Sequence, residues 1–220
     1  MENKEKPILF NAEMVRAILD GRKTCTRRIV KNGIPNDAMW GYTMFTPKGY
    51  ISCRGVYADG YGEGFYKLPY QQGNILYVRE TFIQAAAHTF WYKADDNSWM
   101  PEGLHWKPSI HMPKEAARIW LRVTDVRVER LQDISNDEAI AEGARGTKCD
   151  HVNADSRGCT DCMNTGWIEP PIVEFMQIWD GTIKKSELDL YGWKANPWVW
   201  VIEFERCDKE GRKMFDGKMR

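Results

Sequence analysis

"ARIWLRVTDVRVERLQDISNDEAIAEGA", residues 117–144, decides the fold class. In its first half Ile119, Leu121, Val123, Val126 and Val128 are apolar with polar residues between them, as in a strand with one buried face. The alternation slips once, at Thr124–Asp125, where a β-bulge fits. The second half changes period. Ser135 with Glu138 three residues later reads as a capping box, and Gly143 reads as the stop of a short helix.

The same signals recur outward from this stretch. Downstream, "PPIVEFMQIWDGTI" is an amphipathic helix with Pro171 in its first turn, and "NPWVWVIEFERC" is a final strand followed by a polar, frayed tail. Upstream, "QQGNILYVRETF" predicts a strand over Ile75–Arg79, and another is expected at Thr89–Lys93. Residues 32–72 are rich in Gly, Tyr and Pro; they predict a hairpin of Tyr42–Phe45 with Tyr50–Arg54, then a long loop. The chain opens with a short strand, Ile8–Phe10, and a helix capped by Asn11 and stopped by Gly21, with Met14, Val15, Ile18 and Leu19 on one face. The expectation is one α+β domain over residues 1–220, built on a small curled β-sheet.

Lys plus Arg number 31 and Asp plus Glu number 31, so no global positive field draws the chain to nucleic acid, and any such contact needs a local patch. The charged start, Met-Glu-Asn-Lys-Glu-Lys, is unlike a signal peptide, and no apolar segment is long enough to span a bilayer. A cytoplasmic protein without membrane contact is the expectation. In that compartment the six cysteines read as thiols or metal ligands, with Cys25, Cys53 and Cys207 suited to apolar packing.

"GRKTCTRR", residues 21–28, sets four cations around Thr-Cys-Thr directly after the first helix. As a plain helix end it is a glycine stop with cations answering the helix dipole. As a site it needs a bend, because in a regular strand Lys23 and Thr26 point to opposite faces.

Three blocks carry a resemblance: Gly21-x-Lys23-x-x-Thr26-x-Arg28, then "LYVRET", then the strand and helix with "LQDIS" and "AEG". In this order they resemble the ASCH family, and "KPSIHMP" with "VTDVRVERLQDIS" is similar to its larger phage- and prophage-encoded members. The resemblance covers roughly 7–31, 72–82, 117–143 and the final strand; inserts at about 32–72, 84–116 and 144–168 lie outside it. It implies a PUA-like small β-barrel with flanking helices and recognition of a modified nucleoside or single-stranded nucleic acid. Some family members are amidohydrolases that remove the acyl group of N4-acetylcytidine with a Lys, a Thr and a Glu. By position these are Lys23, Thr26 and Glu142, with Glu138 one helical turn away as the other choice for the acid. Gly21, Arg27, Arg28, Arg79 and Glu80 are the accompanying ligand-binding candidates, although Glu80 and Arg28 also suit a structural ion pair. A hydroxyl needs a neighbouring base to become a nucleophile, and a lysine serves when desolvation and nearby cations favour its neutral form. Arg22, Arg27 and Arg28 are such cations if they point inward. Tyr42, Tyr66, Tyr70, Trp91 and Trp106, in or beside the inserts, are candidates for stacking on a base. A non-catalytic RNA- or DNA-binding module remains the alternative, as does a phage factor that binds a host protein.

"CDHVNADSRGCTDC" supplies Cys149, His151, Cys159 and Cys162, a set adequate for a tetrahedral zinc site. "CTDCMNTGW" is similar to the knuckles of J-domain chaperone zinc modules. Four protein ligands leave no open coordination position, so the expected zinc is structural.

Overall fold

The computed structural model describes residues 5–30, 39–46, 49–57, 60–100, 103–151, 154–155 and 158–214. In chain order these form β1 (Lys6–Leu9), α1 (Ala12–Leu19), β2 (Cys25–Ile29), β3 (Met39–Phe45), β4 (Tyr50–Tyr57), β5 (Gly60–Lys67) and β6 (Ile75–Arg79). A hairpin of β7 (Phe82–Ala86) and β8 (Thr89–Tyr92) follows, then β9 (Trp120–Arg130) and α2 (Asn136–Ala141). Four short strands come next: β10 (Thr147–Lys148), β11 (Ala154–Asp155), β12 (Gly158–Cys159) and β13 (Trp167–Glu169). The chain ends with α3 (Pro171–Thr182), α4 (Leu188–Tyr191) and β14 (Trp198–Cys207). The fold is mixed α+β with more strand than helix. No described helix is long and apolar enough to cross a membrane.

The main sheet has five strands in the order β1-β6-β9-β14-β2, with β1 parallel to β6 and β6 antiparallel to β9. The expected barrel is therefore corrected to an open sheet. Closure requires the two edge strands to pair, and here the β1-α1-β2 connection carries the chain from one edge to the other. The chain divides into two compact units, residues 1–24, 68–126 and 202–220 in one and 25–67 with 127–201 in the other.

In the first unit, Asn11 caps α1 by accepting from the Met14 N–H at 2.9 Å, and Val15, Ala17 and Ile18 are buried. β6 spans Ile75–Arg79 as read from the sequence. Along β9 the burial alternates through Val123, and the partly buried pair Thr124–Asp125 marks the expected slip before Val126 returns inside. The 84–116 insert is more regular than its turn-rich sequence suggests. β7 pairs with β8, and Phe82, Met112 and Ala116 make a small core beneath them.

The second unit holds Cys25, Leu131, Ile134, Ala139, Phe175, Trp179, Val199 and Val201 in one core, with α2 and α3 supplying the helical side. The capping box forms as written: Ser135 Oγ accepts from the Glu138 N–H at 3.2 Å, and Glu138 Oε2 accepts from the Ser135 N–H at 2.9 Å. Gly143, at φ 99°, ends α2 in the left-handed region that a side chain disfavours. The expected hairpin of 42–45 with 50–54 is part of a three-stranded antiparallel meander, β3-β4-β5. Its third strand, "GYGEGFYK", differs from the expected loop because Gly60, Gly62 and Gly64 hide the alternation in the sequence. The Tyr42 side chain and residues 31–38 and 215–220 lie outside the described residues.

Candidate functional site

The chain turns out of α1 at Gly21, whose φ is 74°, and the Arg22 and Lys23 N–H groups both donate to the Ala17 carbonyl at 2.9 Å. This fixes the Lys23 backbone against the helix end. Its side chain is enclosed, 2% exposed, with Nζ 5.6 Å from the Phe10 ring centroid. Lys23 also lines a cleft of about 550 Å³ with Gly21, Thr24, Phe204 and Arg206. All of this lies in the first unit.

The second unit begins at Cys25, where the segment becomes β2. Cys25 belongs to the core with Phe175, and the Arg27 guanidinium lies 5.9 Å from the same ring, so these alternate residues share a face. Thr26 points to the opposite face and is 1% exposed. A solvated basic edge would leave these side chains in water. Lys23, Thr26 and Arg27 are instead among the most deeply buried polar side chains of the described residues.

Arg27 is held by three carboxylates: Glu129 at 3.4 Å, Glu138 at 3.3 Å and Glu142 at 3.5 Å. Arg127 joins the cluster, donating to Glu138 at 2.6 Å and to Glu129. Glu142 sits at the C-cap of α2 and is 7% exposed, so both acids weighed from the sequence converge on one guanidinium. Burial tends to raise the Glu138 carboxyl, but the Ser135 N–H and the Arg27 and Arg127 charges hold it below its ordinary range. Arg27 Nε is buried with no hydrogen-bond partner among the described residues. The structure thus places Arg27, a ligand-binding candidate in the sequence, against carboxylates. Arg28 is half-buried and donates to the Arg27 carbonyl at 3.4 Å.

The expected pairing of Glu80 with Arg28 is corrected. Both oxygens of the buried Glu80 accept from Arg118, at 2.9 and 3.0 Å, and the Arg118 guanidinium stacks 4.0 Å over the Tyr92 ring. Arg118 enters next to β6 as the chain starts β9, so it reaches Glu80 locally. Burial pushes the Glu80 carboxyl up, against the pull of Arg118. Arg79 donates to the carbonyls of Met112, at 2.7 Å, and Ile110, pinning the 109–112 turn. Of the proposed stacking aromatics, Tyr70 donates its hydroxyl to Pro7 O at 2.9 Å, and Trp91 packs edge-on against Trp99.

Cys149, His151, Cys159 and Cys162 come together, their ligand atoms all within 4.8 Å of one another, and this cluster can hold a metal ion. Cys149 Sγ lies 3.5 Å from Cys159 Sγ, and Cys162 Sγ lies 3.7 Å from His151 Nδ1. A Zn–S bond of about 2.3 Å implies a tetrahedral S···S edge of about 3.8 Å, so the donors are compatible with zinc. The backbone turns round the site through left-handed residues: His151, Met163, Asn164 and Gly166 all have positive φ. The His151 N–H donates to Cys149 Sγ at 3.4 Å and the Cys159 N–H donates to Asn164 Oδ1 at 2.8 Å. The His151 N–H lowers the Cys149 thiol, but burial and the Cys159 and Cys162 thiols outweigh it and push it up to about 11. Burial raises Cys162, while N–H groups of Gly166 and Asn164 and the other two thiols bring it below its usual value. Cys25, Cys53 and Cys207 are buried, as expected of packing residues.

Arg118, Arg127 and Glu129, which no sequence motif marks, complete these networks. The alternating charges of "RVTDVRVER", residues 122–130, hint at Arg127 and Glu129 but do not include Arg118. Comparison of the chain with family models, curated proteins and solved structures found no match.

Proposed function

We propose that the protein is an ASCH-type nucleoside-processing protein that hydrolyses the amide of an N4-acylated cytidine. The observation that carries this reading is the burial of Lys23 and Thr26, three residues apart, in a stretch that composition alone would leave in water. Desolvation is the condition under which a lysine acts as a base. In the proposed reaction the Thr26 hydroxyl adds to the acyl carbonyl carbon as Lys23 takes its proton. The C–N bond then breaks, the cytidine amine leaves with that proton, and water releases the acid and restores Thr26. Glu142 acts through Arg27: the ion cluster fixes β2, and with it the hydroxyl one residue away. The sequence motifs support the family reading, and the family's relation to the PUA fold stands with it as a proposal.

The Cys/His cluster is read as a structural zinc site. Three thiolates and an imidazole suit that ion, and four protein ligands close its coordination. Cytoplasmic location belongs to the same reading.

Incubating the protein with N4-acetylcytidine and separating the products tests the activity. Cytidine and acetate should appear with the wild type and not with Thr26→Ala; no turnover by the wild type, or full turnover by the variant, refutes it. The binding-only alternative loses support at Arg27, whose charge is already matched by Glu129, Glu138 and Glu142.

A further inference from the structure

The meander β3-β4-β5 has two unlike faces. On one, Ile51 and Cys53 are buried, and the Tyr66 ring lies across Gly64, where a Cβ would fall 2.6 Å from the Tyr66 hydroxyl. The other face carries Tyr61, Glu63, Phe65 and Lys67 from β5, set opposite Val56, Arg54, Ser52 and Tyr50 of β4. Tyr61 is 79% exposed and Phe65 60%. They stand four residues apart on one strand, about 13 Å along it, far enough to hold two flat ligands separately.

Charge decides what kind of ligand suits this face. Glu63 is occupied, accepting from Ser52 Oγ and from Arg54 at 3.2 Å, and these bonds hold it below its ordinary carboxylate range. Exposed Lys67 and Arg54 then leave the face with one positive charge in excess among the described side chains. Val56, opposite Tyr61, and Tyr50 are exposed on the same face, but the Arg54–Glu63 ion pair stands between the Val56–Tyr61 pair and Phe65, so among the described side chains charged groups interrupt the apolar ones. Flat π-surfaces alternating with cations match bases alternating with phosphates.

We propose that this face binds single-stranded nucleic acid, with Tyr61 and Phe65 stacking on bases and Lys67 answering a phosphate. The proposal rests on the nucleic-acid reading of the chain for its class of ligand. Of the aromatics named from the sequence, Tyr66 lies on the opposite face of the meander, paired with Ile51.

The test uses the full chain and a short fluorescent oligocytidylate, alone and annealed to its complement, followed by anisotropy at fixed salt. The single strand should bind better than the duplex. Tyr61→Ala and Phe65→Ala should each weaken it about tenfold, and Tyr61→Phe should keep it, since the ring does the stacking. Raising salt should weaken binding less in Lys67→Gln than in the wild type. Alanine variants that bind like wild type, or equal binding of the duplex, overturn the proposal. So does a dimer of the chain that Tyr61→Ala dissolves, which would assign the face to a second copy. N4-acetylcytidine turnover measured on the same preparations separates the two ideas. Turnover with strand binding indifferent to both rings removes the platform alone, whereas ring-dependent binding without turnover upholds the platform and removes the hydrolase.

Discussion

Arg27 is the residue on which the local account turns. Its guanidinium is buried and meets Glu129, Glu138 and Glu142, so replacing it leaves carboxylates enclosed without their cation. Arg27→Met should cost about 3 kcal/mol or more in urea unfolding. Arg212→Ala removes an exposed arginine at the surface and should stay within about 0.5 kcal/mol. Glu138 gives the pH signature. Its folded carboxyl lies below the unfolded value, so its contribution is present above that value and fades as pH falls through the folded one. Urea midpoints of the wild type should fall between about pH 5 and pH 3, and Glu138→Gln should flatten that part of the curve. This cage was not legible in the sequence: Arg27 and Glu142 lie 115 residues apart, and no local pattern joins them.

At the scale of elements, what the sequence announced was what local chemistry decides. The cap of α2 is one case: Ser135 and Glu138 bond reciprocally as the spacing implied. Ser135→Ala should therefore lower stability by about 1 kcal/mol, read from the denaturant midpoint at constant slope. β6 was equally plain, since a glycine turn precedes an unbroken apolar run. β5 and β7 were not, because glycine alternation conceals the first and small residues blunt the second. Among the described residues of the cysteine insert, the three thiols form a buried cluster of their own, so the proposed zinc would order it. Elemental analysis of untagged protein should find about one zinc per chain, and Cys162→Ser should lose most of it. Chelation should speed amide exchange across residues 147–169 and leave α1 protected.

The molecule as a whole was the least legible. Whether five strands close depends on edges that meet only after folding, and the chain leaves β1 and β2 at opposite ends of an open sheet. What did survive from sequence to structure is the oddity of "GRKTCTRR". Half of it is helix exit and half is strand, and its Lys, its second Thr and its first distal Arg are all buried. That burial is the reason to assign the stretch chemistry rather than solvation. The most direct measurement is N4-acetylcytidine turnover by the wild type beside Thr26→Ser and Thr26→Val, with folding checked in parallel. The account predicts turnover by the wild type, retained activity with the serine hydroxyl, and loss with the isosteric valine; equal turnover by the valine variant, or none by folded wild type, would contradict it.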